Sequence, residues 1–185
     1  MRLSSTDRSY GLVFIVLHWA SAAMVFSLFI LGVWMRGLDY MHPWYNLGPH
    51  LHKSFGLALF AMLVFRALWA ALASKPEPVP MPAWERLAAS AVQKSLYILL
   101  FAITISGYLI AAADGKPIDL FNFASVPSLV TGMEHQEDKA GAVHYYLAFF
   151  TVGLAGMHAL AALKHHFIDR DRTLLSMLGV QSKRR

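Results

Sequence analysis

Nine histidines in a chain of 185 residues is a high density for a side chain whose neutral ring is a common metal ligand. Four of them, His18, His52, His144 and His158, stand within or at the mouth of long apolar runs. An ionisable group at such a depth is a functional hypothesis by default. Any one of the four alone reads equally well as a hydrogen-bonded structural histidine; the set is more telling. His144 and His158 are 14 residues apart, just under four helical turns, so both project from nearly the same face about 21 Å apart along the axis. If successive runs alternate in direction, His18 falls at the depth of His158, and His52 at the depth of His144.

Two opposed neutral imidazoles at each of two depths suit the axial positions of two haem irons. The chain has no cysteine, so such a haem would be b-type, held without covalent attachment. The same absence rules out disulfides, thiolate-bound iron–sulfur clusters and C-x-x-C-H haem attachment. A zinc or copper site would want further Cys, His, Asp or Glu at the same depth, and a proton relay would want buried carboxylates. The apolar runs provide neither.

Arg66, 14 residues after His52, should face the interior at the inner level. A buried guanidinium is costly without a partner. A haem propionate is one natural partner, and snorkelling to the interface is the alternative. Gly32, 14 after His18, would let the first helix approach the outer macrocycle, or serve helix packing alone. Gly56, Gly107, Gly153 and Gly156 fit either purpose. His165 and His166 read as interfacial, in contact with the inner site or solvated. His42, His50 and His135 lie on the outer side, with His50 the substitute ligand should His52 fail.

The elements that must position these groups are four apolar stretches, Gly11–Trp34, Ser54–Ala73, Ser95–Ala113 and Ala140–Leu163, whose one permanently charged side chain is Arg66. About 20 residues of helix cross a bilayer. Hydrophobic residues are 57% of the chain and charged residues 15%, which excludes a water-soluble globule and a disordered tail. The runs do not alternate as barrel strands would. The expectation is an all-α, integral membrane four-helix bundle, a single domain over 1–185 with spans near 11–34, 51–73, 88–113 and 140–166. The first run follows Arg2 and Arg8 like a secretory signal, but exceeds the usual apolar length of one and reads as a retained helix.

Charge orients the bundle. With the N-terminus cytoplasmic, the inner segments 1–10, 74–94 and 164–185 carry eleven of the sixteen Lys and Arg, and the outer segments four: Arg36, Lys53, Lys116 and Lys139. That asymmetry places both termini in the cytoplasm. The net +5 therefore reads as topology and contact with anionic lipid, with no nucleic-acid partner. Between the second and third runs, Pro76, Pro78, Pro80 and Pro82 forbid a continuous helix, and the third helix restarts near Ala83-Trp84-Glu85-Arg86. The long outer loop, 114–139, is of a length that is commonly functional. Aromatic residues gather at the run boundaries, Trp34, Trp44, Tyr45, Trp69, Trp84, Tyr97, Tyr145 and Tyr146, as interfacial anchors do.

Leu17-His18-Trp19, His52-Lys53-Ser54-Phe55-Gly56, Val64-Phe65-Arg66 and the run Gly156-Met157-His158-Ala159-Leu160-Ala161-Ala162-Leu163-Lys164-His165-His166-Phe167, followed by Asp169-Arg170-Asp171-Arg172-Thr173-Leu174-Leu175, resemble the bacterial cytochrome b561 family of four-helix, dihaem membrane proteins. The resemblance runs through essentially the whole chain. It implies axial ligands on the first, second and fourth helices, which become His18, His52, His144 and His158, and a place in the bacterial inner membrane. Family members often carry a histidine near the start of helix three, where this chain has Gln93 beside Lys94. The resemblance implies an oxidoreductase that passes electrons between an outer-face small-molecule or protein partner and the quinone pool. One similar member is described as oxidising superoxide and reducing ubiquinone. The alternative is a non-catalytic cytochrome b subunit that anchors a separate outer-face dehydrogenase or hydrogenase. A haem-free scaffold is the third reading. Oligomers are compatible with all three.

Overall fold

The computed structural model describes residues 5, 9–74, 76 and 79–180. Arg2, Arg8, Lys75, Glu77, Pro78 and the terminal Lys183-Arg184-Arg185, which enter the charge and linker readings, lie outside the described residues. The described chain is mostly helical. Helix α1 spans Leu12–Met35, α2 Leu47–Leu72, α3 Ala83–Ala112 and α4 Gln136–Phe167, with a short α5 at Thr173–Met177. Between α3 and α4, strands β1 (Ile118–Leu120) and β2 (Ala124–Val126) pair antiparallel, Ile118 opposite Val126 and Leu120 opposite Ala124.

Helices α1 to α4 are each long and apolar enough to cross a membrane. They pack in chain order, α1 on α2, α2 on α3 and α3 most extensively on α4, and α4 returns to touch α1. Large apolar side chains such as Ile30, Leu68, Phe150 and Leu160 point outward. A surface of that kind is stable against lipid tails, where every helical backbone group is already paired within its own helix. The buried set is small and half polar: Leu59, Leu63 and Ile15 beside Ser21, Ser54, Ser106, Gln136 and Thr151. Hydroxyls and imidazoles therefore share the middle of the bundle with few large hydrophobes.

Within the mostly helical chain the outer loop folds into the small β1–β2 hairpin. Helix α2 begins at Leu47, ahead of the apolar run, with Gly48 and Pro49 in its first turn. There the proline's missing N–H would have had no intrahelical acceptor in any case. His52 consequently sits in the second turn of α2. Helix α3 starts at Ala83, directly after Pro82, and α4 starts at Gln136. Helix α5 was not expected.

Candidate functional site

The four histidines meet as two pairs. At the end of the bundle where α1 begins and α4 finishes, the His18 and His158 ring centroids are 6.3 Å apart. At the end carrying the hairpin, His52 and His144 are 6.1 Å apart. The termini-side level is called inner here and the hairpin-side level outer.

These separations have a chemical meaning. An imidazole nitrogen binds a first-row metal at about 2.0 Å and lies about 1.1 Å from its ring centre, so two rings sharing one metal ion have centroids roughly 6.2 Å apart. Directly hydrogen-bonded or stacked rings would stand closer. Among the described residues no carboxylate joins either pair. The one group of three or more metal-capable side chains, Glu85, His165 and Asp169, lies at the far end of α4. Each pair therefore offers two imidazoles and, among the described residues, no carboxylate beside them, which would suit an ion whose remaining ligands come from a macrocycle.

The outer level is held by backbone and by small residues. His144 Nδ1 lies 3.0 Å from the Ile103 carbonyl and 3.2 Å from Ser106 Oγ, while Ser106 Oγ also donates to Ile103 O at 2.9 Å. A carbonyl only accepts, so Nδ1 carries the proton and Nε2 is left with the lone pair. Both rings lie against glycine backbone. A Cβ on Gly107 would stand 3.1 Å from His144 Cε1, and one on Gly32 would stand 3.0 Å from His52 Cε1. Gly32 thus makes room for the His52 imidazole. Among the described residues, nothing beyond its own stretch of helix lies within 4 Å of a Cβ built on Gly56, Gly153 or Gly156. His52 Nδ1 is buried without a hydrogen-bond partner.

The inner level is charged. Arg66 Nη2 approaches His18 Nδ1 to 3.3 Å, and the guanidinium lies 5.2 Å from the Tyr97 ring centroid. Tyr97 supplies a π face to a cation that, among the described residues, has no carboxylate beside it. Trp19 meets the edge of His18, and its indole N–H donates to Met177 O at 2.8 Å, fastening α5 beneath this level.

The remaining histidines stand apart from both pairs. His42 accepts from the Trp44 N–H and rests on Trp34, and His135 precedes α4 with Glu134 and Asp138 nearby. His50 lies in the first turns of α2, two residues from His52. His166 packs on Phe167. His165 is the exception, drawn into a cluster with Glu85, Asp169 and Asp171. Sequence reading missed Ile103 and Ser106, because a contact across two helices 38 residues apart leaves no spacing signal. It also missed Ser54, whose hydroxyl is fully buried and accepts from the Phe121 N–H at 3.1 Å, joining α2 to the hairpin.

Comparison with known proteins agrees with this architecture. A profile described as prokaryotic cytochrome b561 matches residues 9–180. Cytochrome b561 homolog 2 of Escherichia coli (strain K12) is 48% identical over 185 residues, covering 98% of this chain and 97% of that protein. Cytochrome b561 homolog 1 of the same organism is 31% identical over 168 residues, covering 89% and 93%. A protein of Yersinia pestis named probable superoxide oxidase CybB is 28% identical over 174 residues, covering 92% and 96%. With a family match over nearly its whole length and four apolar helices to carry it, the chain is a multi-pass bacterial membrane protein that belongs to the cytochrome b561 family.

Proposed function

We propose that this chain is an electron conduit of two b-type haems in the bacterial inner membrane, with His18 and His158 as axial ligands of one and His52 and His144 of the other. Electrons pass between an outer-face partner and the ubiquinone pool. The observation that carries this reading is the matched separation of the two ring pairs, 6.3 and 6.1 Å, each the span of one shared iron. When bound, haem supplies a one-electron iron couple whose potential the surroundings set.

The chain's own residues do the rest. Ile103 and Ser106 fix the His144 tautomer, and hydrogen bonding at the remote nitrogen raises the basicity of a ligating imidazole. Arg66 cannot stay as it is. A guanidinium only donates, so His18 Nδ1 accepts in this arrangement and the ring proton sits on Nε2. Were His18 to hold haem iron through Nε2, its proton would sit on Nδ1, and Arg66 would be free to pair with a haem propionate. The apolar outer surface of the bundle keeps lipid around the path and water out.

The Yersinia pestis relative's name supports superoxide as the outer-face donor, making the chain an oxidoreductase of superoxide oxidase type. The competing subunit reading is separated by purification. The lone protein should reduce a short-chain ubiquinone, whereas a subunit would bring a stoichiometric soluble partner with it.

The haem assignment is tested by redox titration of the reduced-minus-oxidised spectrum of wild type, His18→Ala and His52→Ala. Wild type should show two low-spin b-type components, and each substitution should abolish a different one. Loss of the same component in both variants would overturn the pairing.

A further inference from the structure

The two histidine levels differ in what stands at the remote nitrogen of a ligand ring. At the outer level His144 Nδ1 donates to the Ile103 carbonyl at 3.0 Å. At the inner level the Arg66 guanidinium comes within 3.3 Å of His18 Nδ1. One neighbour is an acceptor with partial negative charge and the other is a full cation. Their effects on an iron held by those rings are opposite in sign.

A carbonyl that accepts from Nδ1–H makes the imidazole a stronger electron donor. That favours the ferric state and lowers the couple. A neighbouring cation favours the ferrous state and raises the couple, through a Coulomb interaction that weakens with distance and with local dielectric. Arg66 is half-buried and rests 5.2 Å from the Tyr97 ring centroid. It follows His52 on α2 by 14 residues, which places it about 21 Å along the axis from the outer level. Leu59 and Leu63 of the same helix are buried in between. Its field therefore falls on the inner level and has faded at the outer one.

Other charges do not undo this difference. On the outer side Arg36 lies over the Tyr145 ring and Lys53 follows His52, but both are exposed, and water and salt screen them. At the inner end Glu85, Asp169 and Asp171 are negative and act against Arg66. They gather around His165, seven residues and about 10 Å beyond His158 along α4. Lys164 Nζ holds Glu85 Oε1 at 2.9 Å and Asp169 Oδ2 at 2.7 Å, and Asp171 Oδ2 meets the His165 ring at 2.8 Å. Distance and their own pairing both cut their field at His18.

We propose that Arg66 sets a potential step within the bundle: it lifts the couple at the His18–His158 level above the couple at the His52–His144 level, which Ile103 holds low. The inference rests on the electron-conduit reading above. One electron leaves the outer iron, which passes from ferrous to ferric, and takes the inner iron from ferric to ferrous; no bond and no proton changes place. An electron that enters at the hairpin end therefore runs downhill to the end where the termini lie. A propionate paired with Arg66 would reduce the lift without reversing it, because the same carboxylate without the guanidinium would pull the inner couple lower still. Arg66 is thus a potential-setting residue as well as an anchor.

The test is an optical redox titration of haem-loaded protein in lipid nanodiscs, with the components assigned by their loss in His18→Ala and in His52→Ala. In wild type the inner component should lie above the outer one by at least a tenfold partition of the electron, about 59 mV for a one-electron couple. Arg66→Gln should lower the inner component alone and cut that partition by a factor of about three or more. Arg66→Lys keeps the charge and should restore most of the difference. A merely structural Arg66 would reduce haem occupancy and leave the potential of the remainder unchanged, and that result would overturn the proposal. So would an equal shift of both components, or an outer component at or above the inner one in wild type. Should Arg66→Gln fail to hold the inner haem, the wild-type order alone decides. A single b-type component in wild type would sink the conduit reading itself, whereas two components in the reverse order would sink the step and leave the conduit.

Discussion

At the scale of single residues, the outer level depends on what is missing at two positions. Alanine is a better helix former than glycine by about 1 kcal/mol, so Gly107→Ala should stabilise α3 in isolation. In the folded chain the added Cβ would stand 3.1 Å from His144 Cε1 and 3.3 Å from Nδ1, and the ring must move by a few tenths of an ångström away from Ile103 O. The expected result is a weakened or absent outer low-spin component with the inner one unaltered, read by optical redox titration. Gly32→Ala should act on the same component through His52. The histidines themselves were legible in the sequence because a 14-residue interval on one helix constrains both face and depth. The role of Gly107 was not, because it requires knowing how α3 is rotated against α4. Periodicity cannot give that rotation for a helix exposed to lipid on most sides and apolar nearly all round.

At the scale of elements, the parts that sequence reading missed are those held by tertiary contacts rather than by local propensity. The hairpin has three-residue strands and no glycine in its turn; Phe121 and Asn122 take φ of 52° and 60° there. A bulky residue in the left-handed region is costly, and two neighbours on α2 hold Phe121 in place: Ser54 through its hydroxyl and Phe55 through an edge contact at 4.9 Å. Ser54→Ala would leave the half-buried Phe121 N–H without its side-chain partner, a loss of about 1 kcal/mol. It should lower the thermal midpoint and raise amide exchange in 118–126 before elsewhere. Helix α5 is likewise set by partners. Asp171 Oδ1 accepts from the Thr173 N–H at 2.8 Å at the start of the helix, while Oδ2 meets His165. Burial pushes this carboxyl up, but the Thr173 N–H and the His165 ring together hold it below the ordinary carboxylate range. A depressed carboxylate stabilises the fold above its unfolded pKa and loses that contribution as pH falls through the folded value. The docking of α5 should therefore be intact at neutral pH and loosen in acid below about pH 4. Trp19 fluorescence would follow it through the indole bond to Met177, and Asp171→Asn should remove that acid transition.

At the scale of the whole molecule, the geometry defines two ends, and the charge distribution gives an expectation of which faces the cytoplasm. The paired histidines lie about 21 Å apart along α4, so electrons entering at one level and leaving at the other cross most of the apolar layer. Whether that movement runs into or out of the cell depends wholly on orientation. The sequence segments expected inside carry eleven cations and those expected outside four, and such an excess favours retention on the cytoplasmic side during insertion. The chain has no cysteine, so an introduced thiol is its sole maleimide target. Ser125, exposed on β2, and Ser74, exposed just after α2, lie at opposite ends of the bundle. In intact spheroplasts a membrane-impermeant maleimide should label Ser125→Cys and spare Ser74→Cys until the membrane is opened. The converse pattern would put the hairpin and the His52–His144 level inside the cell. The outer-face donor would then have to be cytosolic.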